Sequence, residues 1–362
     1  MSVGPRRYLR RRVGEVSLSA VLVVSISVLA GCGGTLATKQ LRSTASTARG
    51  TSSPTTPAPT SDSMPSTGAT STATSTATSA ATAANPSTGT APAVSPGHPC
   101  AGAGRPPAHY RHVVWIWMEN HTWASVIGSS SAPYISSLAH ECGTDSNYAS
   151  VGSPSLPNYL GATSGSTQGV GDDGDPGDHS FAVDNLFRQV RAAGGSERSF
   201  VESMPGSCDL VSQGSYAAKH NPAVYYDGPG DRVACQADDV SFSGFSAVLA
   251  SGRLPTFTSI TPNICDDMHD CSVAVGNQWL ATWVPRILAT SSYESGTTAL
   301  FIVWDEPTPI ANVVVAPSVR PGTVSGAAVD HYSLLRATEE MLGLPLLGNA
   351  NSAPSLRKVF GI

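Results

Sequence analysis

Two apolar runs, each ending in a pair of metal-seeking side chains, constrain this chain most. Val113-Val114-Trp115-Ile116-Trp117-Met118 leads into Glu119-Asn120, and Ala299-Leu300-Phe301-Ile302-Val303-Trp304 leads into Asp305-Glu306. Runs this rich in β-branched and aromatic residues read as strands buried on both faces, which is the pattern of a parallel sheet. In an open α/β sheet, ligands sit in the crevice beyond the carboxyl ends of the strands. Two strand ends that deliver oxygen ligands there predict one shared site for a divalent cation, and a divalent cation suits phosphate.

The beginning of the chain is different in kind. Residues 1–31 join a basic start (Arg6, Arg7, Arg10, Arg11, Arg12) to an apolar stretch from Val16 to Ala30, the shape of a secretory signal peptide. The stretch closes on Leu29-Ala30-Gly31-Cys32. That is similar to a bacterial lipobox, whose Cys is lipidated and begins the mature chain, so the expectation is an exported lipoprotein held on the extracytoplasmic side of the membrane through Cys32. An ordinary signal with an incidental Cys, or an uncleaved anchor, is the rival reading. Residues 32–97 are Ser, Thr, Ala, Pro and Gly with almost nothing to bury, a composition that reads as a disordered tether. One folded α/β domain, 98–362, remains. Residues 1–31 carry a net +4 (five Arg against Glu15), so subtracting it from −5 leaves the mature chain at −9. An acidic protein with no basic run beyond its signal excludes nucleic acid as the main partner.

Six Cys follow Cys32, an even number that reads as disulfides in an exported domain. Zinc is the alternative, but there is no Cys-x-x-Cys and the spacings are irregular. Local closure favours Cys265–Cys271 and Cys208–Cys235, leaving Cys100–Cys142. A third constellation is Ser153-Pro154-Ser155-Leu156-Pro157-Asn158-Tyr159-Leu160, which reads as a helix start with Ser155 at or beside the N-cap. A hydroxyl there lies among free N–H groups at the positive end of the helix dipole, where phosphate is well received. Taken alone, such a Ser is more often a cap.

Five motifs occur in an order that resembles the phosphoesterase family of bacterial acid phosphatases and phosphatidylcholine-type phospholipases C. They are Met118-Glu119-Asn120-His121, Ser155-Leu156-Pro157-Asn158-Tyr159, Lys219-His220-Asn221-Pro222, Thr261-Pro262-Asn263 with Asp266-Asp267-Met268-His269-Asp270, and Trp304-Asp305-Glu306. The resemblance covers about residues 110 to 350. It implies an alkaline-phosphatase-like α/β fold, a three-layer sandwich whose mostly parallel central sheet is flanked by helices. It also implies a metal-dependent phosphoric ester hydrolase.

Residue by residue, the resemblance implies that Glu119, Asn120, Ser155, Asp305 and Glu306 hold a divalent metal ion, with Ser155 also the nucleophile that forms a phosphoserine. His220 and His269 contact the phosphate or protonate the leaving oxygen. Asn158, one helical turn beyond Ser155, donates to a phosphate oxygen, and Asp267 lies near the phosphate. His331, ahead of Leu334 and Leu335, is either a substrate-binding group or a plain helix residue. Gly171-Asp172-Asp173-Gly174-Asp175 has the flavour of a calcium loop without its closing Glu, and reads as a surface loop. Asn277 stands where family members often carry Asp. The compact domain favours small phosphomonoesters, with a phospholipid head group in a phospholipase C or phosphodiesterase as the alternative. A surface lipoprotein that only binds is the reading from another class, and the intact ligand set argues against it.

Overall fold

The computed structural model describes residues 98–102 and 105–362. The expected signal peptide, Cys32 and tether lie outside the described residues. Ten strands are present among the described residues: β1 (His112–Met118), β2 (Gly143–Asp145), β3 (Tyr148–Ala149), β4 (Glu197–Val201), β5 (Asp239–Ser241), β6 (Phe257–Thr261), β7 (Thr298–Trp304), β8 (Asn312–Val315), β9 (Thr323–Ser325) and β10 (Val329–Asp330). Eight form the main sheet in the order β5-β4-β6-β1-β7-β8-β2-β9, while β3 and β10 pair separately. The half from β5 to β7 is parallel throughout. Only β8 runs against its neighbours β7 and β2. The fold is α/β, with a mostly parallel central sheet flanked by helices.

Both apolar runs are central strands because their side chains are almost wholly apolar. Val113 through Met118 are 0% exposed, and each such side chain contributes roughly 1.5–3 kcal/mol of burial. Trp115 donates its indole N–H to Thr338 Oγ1 at 3.1 Å, which meets the one polar demand of that ring. Two groups of helices pack among themselves. Ser155–Ser164, Leu186–Ala192, His331–Leu342 and Leu356–Phe360 make one, and Pro133–Glu141, Val273–Leu288 and Ser291–Glu294 the other. Among the described residues, no helix is long and apolar enough to cross a membrane.

Among the described residues, disulfides join Cys100 to Cys142, Cys208 to Cys235 and Cys265 to Cys271. Asn277 accepts from the Tyr134 and Ile135 N–H groups at 3.0 and 3.2 Å. It thereby caps the helix Pro133–Glu141 from a neighbouring helix, a task an Asp would perform equally well.

Candidate active site

Strand register brings the two carboxylates together. Met118 of β1 lies level with Trp304 of β7, so the next residues, Glu119 and Asp305, leave the sheet side by side. The Asp305 N–H donates to the Met118 carbonyl at 3.2 Å, and the Asn120 N–H donates to Asp305 Oδ1 at 3.1 Å. Asn120 turns with a φ of 50°, a left-handed conformation that Asn tolerates better than most residues. Both carboxylates are 0% exposed.

The helix Ser155–Ser164 delivers the hydroxyl. Ser155 is its first residue, one place beyond the N-cap Pro154. The Ser155 hydroxyl donates to Glu119 Oε2 at 3.2 Å. Tyr159, one turn on, donates its phenol to Glu119 Oε1. Asn158 faces away from this cluster. Its Oδ1 accepts from the Val151 and Gly152 N–H groups at 2.9 and 3.0 Å, and its amide donates to the Gly152 and Pro154 carbonyls. Asn158 thereby pins the loop that feeds the helix.

The loop after β6 supplies the third side. The Glu119 N–H donates to the Asp267 carbonyl at 2.9 Å, and the Cys265–Cys271 bond closes the loop. Met268 adopts a φ of 83° there. The helix behind it passes so close that a Cβ on Gly276 would lie 2.5 Å from Met268 Cγ, so only glycine fits. Asp267 is 0% exposed. Its Oδ1 accepts from the His269 N–H at 2.7 Å and its Oδ2 lies 3.2 Å from His220 Nδ1. The other ring nitrogen of His220 lies 3.3 Å from Glu119 Oε1. Neither ring contact is aligned as a hydrogen bond. Asp267 thus lies between the His269 N–H and the His220 ring.

His331, the first residue of its helix, is buried as well. Its Nε2 donates to the Asp305 carbonyl at 2.7 Å, and its Nδ1 faces the Tyr148 hydroxyl at 3.4 Å. His331 thus ties the start of its helix to the turn after β7.

Packing so many acids without water raises their proton affinity. Burial, then Asp305 and Asp267, push Glu119 well above the usual carboxylate range. Burial pushes Asp305 up to about 6 and Asp267 up to about 7. Burial, reinforced by Lys219 and His269, keeps His220 far below its ordinary value, and burial takes His331 down to about 4.

This donor set fits a hard divalent cation. Asp305 Oδ2 and Asn120 Oδ1 are buried oxygens with no hydrogen-bond partner among the described residues, whereas buried polar atoms normally have one. Oxygen atoms of this kind beside the Glu119 carboxylate and the Ser155 hydroxyl match the preference of such ions. On the other side of Glu119, one ligand atom each from Glu119, His220 and His269 lie within 4.8 Å of one another. Glu306, the residue after Asp305, is half-buried.

A more open wall faces this cluster. Lys219 Nζ donates to Asp173 Oδ2 at 2.9 Å and to His269 Nε2 at 3.3 Å, while His269 Nδ1 donates to Asp270 Oδ1 at 2.7 Å. Asp173 Oδ1 accepts from the Leu156 N–H at 3.0 Å. Sequence reasoning passed over Asp173, Lys219 and Tyr159 as site groups. Tyr159 had a signal, its place one turn beyond Ser155. Asp173 had none, because its partners lie 17 and 46 positions away.

Comparison with known proteins adds independent support. The phosphoesterase family model matches residues 129–310. A phosphatidylinositol-3-phosphatase of Mycobacterium tuberculosis is 33% identical over 259 residues, covering 70% of this chain and 83% of that protein. An acid phosphatase of Aspergillus fumigatus is 26% identical over 262 residues, covering 67% of this chain and 57% of that one. A solved alkaline-phosphatase-superfamily protein from Vibrio parahaemolyticus aligns with a TM-score of 0.46 at 11% identity, covering 71% of this chain and 74% of that one. On the family match and the 33% identity, the chain belongs to the phosphoesterase family and is a phosphoric ester hydrolase.

Proposed function

We propose that this protein is an exported, metal-dependent phosphomonoesterase working through a phosphoserine on Ser155. One observation carries the reading: the Ser155 hydroxyl, at the start of a helix, donates to buried Glu119, whose strand end lies beside that of buried Asp305. The cation would be held by Glu119, Asn120, Asp305 and the Ser155 oxygen, with Glu306 adjoining. When bound, it favours ionisation of the serine hydroxyl and offsets phosphate charge.

The remaining work belongs to the chain. Ser155 Oγ attacks phosphorus in line, its proton directed at Glu119 Oε2, and the alcohol leaves opposite. His220, braced by Asp267, and His269, oriented by Asp270, are the groups available to bind phosphate oxygens or supply the leaving oxygen with a proton. Water then hydrolyses the phosphoserine and frees phosphate. The domain organisation we propose is a lipoprotein signal at 1–31, lipidated Cys32 opening a tether to 97, and the catalytic domain 98–362.

The Mycobacterium tuberculosis relative, named a phosphatidylinositol-3-phosphatase, favours a second form of the same reading, in which the monoester sits on a lipid head group. The test is a parallel assay of a soluble monoester, a phosphoinositide monoester, a diester and phosphatidylcholine, with wild type and Ser155→Ala. Ser155→Ala is expected to lower every turnover at least about a thousandfold while the melting curve stays close to wild type. Near-normal turnover in that variant would remove Ser155 as the nucleophile. Faster turnover of the diester or phosphatidylcholine than of either monoester would move the enzyme to the phospholipase C reading.

A further inference from the structure

Asp173 sits where an anion is wanted. Its Oδ1 takes the Leu156 N–H, the backbone donor next after Ser155, and its Oδ2 takes the Lys219 ammonium. A backbone N–H at the positive end of a helix and an ammonium beside it are the donors that a phosphoryl group over Ser155 would use. Asp173 is not there by chance motion of its loop, which is fastened from three directions. His179 Nε2 meets Asp172 Oδ1 at 2.5 Å, the Tyr225 hydroxyl donates to the Gly174 carbonyl at 2.9 Å, and the Ser212 hydroxyl donates to Asp175 Oδ1 at 2.7 Å. Lys219 is steadied in turn by His269, whose other nitrogen is held by Asp270. The Asp173 side chain keeps 27% of its surface exposed, so it has room to swing away.

We propose, taking Ser155 as the nucleophile, that Asp173 is an internal competitor for the phosphate seat and sets a charge threshold for substrates. A carboxylate holds the two donors with one negative charge and two oxygens. A phosphomonoester arrives with up to two charges and three free oxygens, so it wins the exchange. A diester brings one charge and two free oxygens, no more than the group it must displace. Discrimination then comes from a repulsive element as well as from attraction. The same acidic loop, read from sequence as a bystander, becomes the part of the site that separates monoesters from diesters.

The test uses the full chain and Asp173→Asn, which keeps an acceptor for the Leu156 N–H and removes the charge. The diester-to-monoester ratio of kcat/KM is expected to rise about tenfold, and the inhibition constant of inorganic phosphate to fall about tenfold. Lys219→Met moves phosphate inhibition the other way. Phosphate affinity is also read by calorimetry in the Ser155→Ala background, where it does not depend on turnover, and melting curves verify that each variant is folded. Asp173→Ala, which removes both bonds, gives the same direction if its loop stays ordered. Unchanged or weaker phosphate binding in a folded Asp173→Asn protein, with an unchanged substrate ratio, would mean that Asp173 merely holds Lys219 and the helix, and overturns the proposal. Retained turnover in Ser155→Ala alone overturns the nucleophile on which it stands, a result distinct from the phosphate affinities.

Discussion

The inner and outer walls of the site are built by different means. Glu119, Asp305 and Ser155 are at most 2% exposed and come from two strand ends and a helix start, fixed by sheet hydrogen bonds and a dry core. The side chains of Lys219, Asp173 and His269 are 20%, 27% and 27% exposed and come from loops and a short turn, fixed by one another and by the Cys265–Cys271 bond. The difference teaches a division of labour. Groups that must be placed to a fraction of an ångström stand on the sheet, and groups that must meet varied substrates stand on loops.

The largest effect that tests this division lies on the inner wall. Glu119→Gln and Asp305→Asn are each expected to lower activity about a hundredfold or more and to reduce bound metal, with the double variant little worse than either single one. Elemental analysis and steady-state rates check it. Multiplicative losses with full metal content would place the two carboxylates in separate functions. On the outer wall, Cys265→Ser with Cys271→Ser is expected to cost about 2 kcal/mol in denaturant titrations, from loop-closure entropy, and to raise KM several-fold with a smaller change in kcat. A collapse of kcat at unchanged KM would show that the loop belongs to the rigid side.

The smallest effect lies outside both walls. Glu339 is pushed up to about 8, chiefly by burial, against about 4.3 in an unfolded chain. Between those values the folded state holds a proton that the unfolded state has released, so this residue's contribution to stability falls as pH rises from about 4 to about 8. Glu339→Gln keeps an acceptor for the Leu347 N–H, which the carboxylate accepts at 2.9 Å. Its melting point is expected to match wild type near pH 5 and to exceed it by about 4 °C at pH 8. A variant less stable than wild type at pH 8 would mean that Glu339 is ionised in the fold.

Much of the inner wall was legible because burial writes itself into composition. A run such as Val113–Met118 has no solvent face, so its strand and its carboxyl end can be read directly. Ser155 was readable to within one position, since the start of its helix depends on local residues. Asn158 shows where the reading stops. Spacing placed it one turn beyond Ser155, but which way the amide points is decided by the Val151–Gly152 loop. The outer wall was illegible for a related reason. The bond from Asp173 to Lys219 spans 46 positions, and no propensity or period encodes a meeting between two loops.

The level pairing of Met118 with Trp304 makes the sheet a measuring device. Side chains alternate faces at every step along a strand, so one inserted or deleted residue inside β1 or β7 would rotate the oxygen ligands of one strand away from those of the other. The core could repack around a change in side-chain size, yet no repacking restores a lost count. Around β1 and the β7–β8 connection, tolerance to length variation should therefore be confined to the segments before His112 and between Glu306 and Asn312, and a library of single-codon insertions there would trace that boundary as a sharp edge in activity.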